Sequence, residues 1–507
     1  MALAHLDLRT LACFGLWSLT LACSDGAPDA ARSGTAGAAG SDGSGLSGGA
    51  GGAGGAAGAV GTGGSGGKSP FDGTKRTKAS ALDGSRLYTL TSVGGEDSFL
   101  SVLTVDDAGG LDLNGTLPTP RNPVAIIPHG DEVVLFFDAD QPLWEGIPRP
   151  DFRKETEIWM VDVSDPASPK WLAELPVKGL YAGAFAANAG YYVVTRAVRD
   201  TTPATTTVTS FAITGSQLVP RGWFDTSDPT GHWQLPRIAF GDRHLVITDW
   251  SDERFDGFRQ LNLLPDGSIV SGGVRRFRGD WEVASQVRVV DDQLTAVSLP
   301  KSGGAALEVF NLTDSGPERL NEITTPGAPA GPVAGARVTD AEAFIGGQTT
   351  LFATLGGGSW LSLAMQAPSE QIEPLGSDWL IAGQSNVPNQ ISLTQVAAAG
   401  NALTATQSVW VPPLPSRREA GAVVLESSGL VLVPWGSYST NDPPAGLRVY
   451  DTTSDTLTAR GELPLTQSTA AMFQHANTVL LVSDGYVTSV SLDDPDAPRQ
   501  IARQPLF

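Results

Sequence analysis

The chain has only two cysteines in 507 residues, Cys13 and Cys23, and both fall within its first 23 positions. Everything after them is thiol-free, so no disulfide within residues 24–507 can hold the fold together. Long apolar runs are also missing. The longest candidate, Leu11–Ala22 (LACFGLWSLTLA), is too short for a membrane-spanning helix, which needs about 20 apolar residues. Positive charge is scarce: 33 Lys and Arg face 54 Asp and Glu, giving a net charge of −21. Such a surface excludes nucleic acid as a partner, because that affinity rests on neutralising phosphates. The strongest exception, Arg275-Arg276-Phe277-Arg278, reads as a charged strand edge or loop. Helical periodicity is absent as well, and 35 prolines with 60 glycines would interrupt a helical solenoid.

What is present begins at the N-terminus. Arg9 precedes the apolar run, the pattern of a secretory signal over residues 1–22. Leu19-Thr20-Leu21-Ala22-Cys23 resembles the lipobox of bacterial lipoproteins: Ala22 and Cys23 fit, while Thr20 and Leu21 depart from the usual Leu and small residue. The resemblance implies lipidation of Cys23, with the membrane as a partner through that lipid. Because Ser24 rather than Asp follows the cysteine, an outer-membrane or cell-surface location is expected. An ordinary cleaved signal is the alternative.

Residues 23–74 read as a tether. From Ser33 to Gly67 every residue is Gly, Ala, Ser or Thr except Asp42, Leu46 and Val60. Such a composition cannot bury enough apolar surface to fold. As a flexible coil it would span about 30 to 35 Å.

Residues 75–507 carry an internal repeat. Val161-Asp162-Val163-Ser164-Asp165-Pro166-Ala167-Ser168-Pro169 is echoed by Val490-Ser491-Leu492-Asp493-Asp494-Pro495-Asp496-Ala497-Pro498. Each is followed by an alternating stretch, so both read as strand, tight turn, strand. Apolar strands recur at Arg86, Glu132, Tyr191, His244, Gln293, Leu430 and Val479, mostly behind short turn signals such as Gly130-Asp131. Their spacing, about 46 to 59 residues where they are consecutive, matches a four-stranded blade. The expected fold is all-β: a single β-propeller of about eight four-stranded blades, with seven and nine left open by the region between Gln293 and Leu430. Taking those apolar strands as the first of each unit leaves the last unit short of an outer strand. Thr77–Leu82 would supply it and close the ring. A monomer is expected.

The hairpin at 161–169, with Gly179 and the turn Asn188-Ala189-Gly190, resembles the LVIVD-type repeat of secreted bacterial β-propellers. That resemblance implies a fold and brings no catalytic residues. The Asp-box of sialidases, the Gly-His to Trp-Asp pattern of WD40 units, the quinoprotein repeat and the GxSxG elbow do not occur. Asp249-Trp250 merely reverses the WD dipeptide.

Candidate binding residues are Trp144 and Phe152, in the long 138–156 segment, and Trp250, in the acidic segment 249–257. His129, His232, His244 and His475 lack metal spacing, and His129 and His244 read as polar turn residues. Asp106-Asp107, Asp291-Asp292, Asp493-Asp494 and segment 249–257 offer oxygens to a structural calcium. Without an EF-hand or glycine-aspartate nonapeptide, turn-forming Asp is the simpler reading, and no cofactor is expected. Three functions fit: a surface-tethered, non-catalytic binding or scaffold module for protein, peptide or glycan; a glycan hydrolase or lyase with a composite axial carboxylate site; and a structural envelope component.

Overall fold

A computed structural model describes residues 75–506, apart from 94–96, 140–154, 188–189, 198–203, 229–237, 252–253, 279–286, 291, 299–303, 326–333, 340–341, 356–358, 385–390, 400–401, 412–421, 426–427, 436–444, 453–455 and 468. The proposed lipidation residue, Cys23, and the tether lie outside them.

The described strands form nine four-stranded antiparallel sheets, each built from four consecutive strands. Together they make a single β-propeller of nine blades, the upper of the counts left open by the sequence. Segments Glu342–Gly346 and Asp378–Gln384 are second strands of two separate blades between Gln293 and Leu430.

The blade frame differs from the expected one by a single strand. RLYTLTS at Arg86 is the second strand of blade 1, and Lys75–Asp83 is its first. Blade 9 is likewise complete in itself, from Thr469–His475 to Arg499–Pro505. No terminal strand is exchanged between them. The physical cause is burial: second strands such as Leu430–Trp435 and Thr478–Ser483 are buried at every position. They therefore carry the strongest apolar signal, although the strand before them begins the blade.

Side chains alternate across each blade, so each strand serves two neighbours. This produces nine apolar clusters, one at each blade interface. The one joining blade 9 to blade 1 packs Phe473, Leu480 and Leu506 against Leu82, Leu87 and Leu103. Hydrogen bonds reinforce that seam: the Ser101 hydroxyl donates to the Leu506 carbonyl at 2.7 Å, and the Thr77 amide donates to Asp484 Oδ1 at 2.8 Å. Packing closes the ring where strand exchange had been expected.

Two further devices repeat. In every blade except the sixth, the register of the third and fourth strands shifts once. Such bulges twist the outer edge and discourage edge-to-edge pairing. The two Asp-Pro hairpins also make equivalent contacts. A Cβ on Gly115, in the outer strand of blade 1, would lie 2.5 Å from the Pro166 carbonyl oxygen of blade 2. On Gly461, in the outer strand of blade 8, it would lie 2.7 Å from that of Pro495 in blade 9. Each hairpin thus docks onto a glycine of the preceding blade.

Candidate functional site

Four-strand meandering divides the connections between two faces. First-to-second and third-to-fourth turns leave one face, and the first-to-second turns are short, as at Asp83 to Arg86 and Leu375 to Asp378. Second-to-third and blade-to-blade connections leave the other. Among these are the longest, running from Phe137 to Glu155, from Val411 to Val423, from Arg276 to Val287 and from Thr324 to Gly335.

First strands line the axis and are mostly small or apolar, as in Leu180–Ala187 (LYAGAFAA) and Val423–Leu425. Their carboxylates are Asp83, exposed at the short-turn face, and Glu373. Glu373 is bound by Arg337 of the neighbouring blade. The described axial strands therefore do not form the paired-carboxylate arrangement of a glycosidase. Where the axis meets the long-connection face, Asp484 sits in the turn between two strands of blade 9, close to Thr77. Burial pushes its carboxyl up, against the opposing effects of the Thr77 amide, Arg76 and Lys78. Burial, with Arg76 beside it, pulls the Lys78 ammonium down, and Asp484 opposes that shift.

A buried polar cluster lies at the short-turn face, between blades 4 and 5. His244 is 1% exposed and opens the second strand of blade 4, His244–Ser251. Its Nε2 lies 3.2 Å from Asp292 Oδ1, and its Nδ1 lies 3.1 Å from Asn262 Oδ1. Gln260 Nε2 donates to Asn262 Oδ1 and to the Thr313 carbonyl, both at 2.7 Å. Arg243 ties Asp292 and Asp314 at 3.2 and 3.3 Å. Asp292 holds a left-handed backbone, φ 64°. This cluster joins blade 4 to blade 5 through Gln260 and Asn262, with His244, read from the sequence as a polar turn residue, buried directly after its turn.

The other candidates fall as follows. Trp144 and Phe152 lie outside the described residues. Trp250 belongs to the second strand of blade 4, where its backbone pairs with Phe255 after a register shift. The sequence of the two segments puts Trp144 and Trp250 in different blades. His129 meets Tyr191 edge-on, with ring centroids 5.7 Å apart.

Acidic residues serve turns. Asp106 Oδ1 accepts the Gly110 amide at 2.6 Å, and Asp494 Oδ1 accepts that of Asp496 at 3.1 Å. Among the described residues no three His, Cys, Asp or Glu side chains could hold a metal ion. Trp360, Trp379 and Trp435 fill blade interfaces, whereas Trp171 and Trp223 are exposed on outer strands.

Arg275 and Arg276 lie on an outer strand, Ile269–Arg276 of blade 4, as a charged strand edge. With Val274, Phe310 and Arg319 they line an open groove of about 620 Å³. Sequence signalled the arginines of one blade; it held no sign of their partner from the next.

No family model matches the chain, and no curated protein matches it in sequence. Solved structures do. A provisionally assigned 6-phosphogluconolactonase from Bacteroides fragilis is 11% identical, with a TM-score of 0.35, over 74% of this chain and 96% of its own. The periplasmic gluconolactonase of Pseudomonas aeruginosa is 10% identical, with a TM-score of 0.35, over 80% and 92%. Kuenenia stuttgartiensis hydrazine synthase is 12% identical, with a TM-score of 0.34, over 53% and 85%.

Proposed function

We propose that the chain is a lipid-anchored cell-surface β-propeller that binds a protein, peptide or glycan without transforming it. The observation that carries this reading is the asymmetry of the two faces. The long connections share one face of a rigid ring, and segments that vary freely in length and sequence on a fixed scaffold suit recognition. Trp144 and Phe152 belong to the longest of them and are proposed to supply aromatic contacts together with Trp250. Lipid on Cys23, an LVIVD-like repeat ancestry and an outer-membrane address complete the proposal, with the 23–74 segment as the tether.

Two measurements test it. Cys23→Ser is expected to move a folded domain from the membrane fraction to the soluble exported fraction; unchanged membrane association defeats the anchor. On glycan and peptide arrays, the chain is expected to mark a defined set of ligands, and Trp144→Ala with Trp250→Ala to lose them. Ligands retained by that double variant remove the aromatic contacts from the proposal. Release of new reducing ends from an array glycan overturns the non-catalytic reading in favour of a hydrolase or lyase.

A further inference from the structure

Charge is spread along this chain except over blades 6 and 7. Residues 343–416 hold three charged side chains, Glu370, Glu373 and Asp378, in a chain that is 17% charged. All three lie at the beginning of blade 7: Glu373 and Asp378 on its first two strands, Gln371–Leu375 and Asp378–Gln384, and Glu370 just before them. The outer strands, Leu361–Ala364 of blade 6 and Ala402–Val411 of blade 7, carry none. Each of the other seven outer strands carries at least one.

Among the described strands, blade 6 is also the one blade whose outer strand pairs without a register shift, Leu361 to Ala364 running opposite Ala353 to Thr350. Bulges, charges and prolines keep a sheet edge from pairing with another chain. The edge LSLA has none of them; it is guarded by shortness alone. The direction of its free backbone groups follows from the ladder. Leu363 pairs with Leu351, and the Met365 amide donates to the Thr349 carbonyl at 2.9 Å. In an antiparallel ladder successive residues turn their backbone groups to opposite sides. Leu361 and Leu363 therefore bond within the blade, while the N–H and C=O of Ser362 and Ala364 point outward. Both of these residues are exposed.

We propose that two copies of this chain pair antiparallel along the outer edge of blade 6, in place of the monomer expected from the sequence. The edge is self-complementary. With a two-fold axis at Leu363, Ser362 of each copy meets Ala364 of the other, each such pair exchanges both of its N–H···O bonds, and the two Leu363 side chains become cross-strand neighbours. A second copy is also the partner that the charge distribution favours. Two molecules of net charge −21 repel, and like charges opposed across an interface weaken association. At blades 6 and 7 the outer strands bring no charge together. The inference does not rest on the loop-face reading, since this edge lies on the rim.

The test is light scattering on the full chain, with Cys13 and Cys23 replaced by serine, over about 1 to 100 μM. Association to twice the chain mass of 52.7 kDa is expected within that range, and a constant monomer mass overturns the proposal. Ser362→Lys keeps every bond within the blade and adds an exposed charge to the edge. It is expected to weaken association about tenfold or more with an unchanged thermal midpoint, whereas Thr116→Lys, on the outer strand of blade 1, leaves association unchanged. A Ser362→Lys dimer as tight as the parent, or equal weakening by Thr116→Lys, overturns the choice of edge. Cysteine pairing reads the register. Residues opposed at a non-hydrogen-bonded position lie about 4.5 Å apart between Cα atoms, within disulfide reach. Leu363→Cys is therefore expected to give a disulfide-linked dimer on mild oxidation, and Ser362→Cys to remain unlinked. No linked dimer with Leu363→Cys, or equal linking with Ser362→Cys, overturns the two-fold pairing.

Discussion

If the ring closes by packing across the blade 9/1 seam rather than by strand exchange, Leu506 must contribute as much as an interior blade contact. Leu506 tests this. Its side chain is fully buried in the cluster joining blades 9 and 1, its amide donates to the Gly485 carbonyl at 3.0 Å, and its carbonyl accepts the Ser101 hydroxyl. Leu506→Ala keeps both backbone contacts and removes only the apolar filling. For a leucine with no exposure, transfer and cavity terms together cost about 3 kcal/mol, or about a hundredfold in the folding equilibrium. Leu432→Ala, equally buried between blades 8 and 9, is the interior comparison and should cost about the same. Urea unfolding followed by tryptophan fluorescence reads both, with equal slopes as the condition for comparing midpoints. A loss below about 1 kcal/mol for Leu506→Ala, beside the full loss for Leu432→Ala, would refute closure by this seam.

Two other sites give sharp expectations. His244→Ala removes the imidazole between Asp292 and Asn262 and leaves the buried Asn262 and the partly exposed Asp292 without that partner. It is expected to cost about 2 to 4 kcal/mol, and a loss within about 0.5 kcal/mol would show that the cluster does not crosslink the blades. Asp484 has a carboxyl pKa raised by burial, so its neutral form is favoured in the fold. That contribution is present below 3.8 and lost as pH rises through the folded value. Asp484→Asn keeps an oxygen for the Thr77 amide and has no charge to bury. Its thermal midpoint relative to wild type should therefore rise between about pH 4 and about pH 7; a difference that falls over that range contradicts the burial argument.

The architecture was legible because a propeller writes the same physics repeatedly. Each blade needs one strand buried on both faces, and Leu430–Trp435 or Thr478–Ser483 announces it. Each also needs an outer strand half in water, and Arg499–Pro505 alternates accordingly. The frame was less legible, because a repeat has no intrinsic beginning. A first strand such as Pro123–His129 is apolar and short enough to pass as the end of the preceding unit. Only hydrogen-bond partners separate the two frames: Pro123–His129 pairs with the strand that follows it, His129 opposite Glu132, and so begins a blade rather than ending one.

The same limit governs the sites, and it explains why the polar features on opposite sides of one interface were read differently. Arg275 and Arg276 stand out as a basic run, yet the groove exists only because Arg319, more than forty positions later, lies against them across the boundary between blades 4 and 5. His244 carries even less signal, since a histidine after a turn is ordinary until Asp292 and Asn262 close around it. Gly115 and Gly461 are likewise ordinary glycines until an Asp-Pro hairpin from the next blade occupies the space of a side chain. In a propeller, local repeats specify the blades, and pairs one repeat apart specify how blades meet. Comparing each position with those about one blade later, rather than reading along the chain, is the reading that would bring such pairs forward.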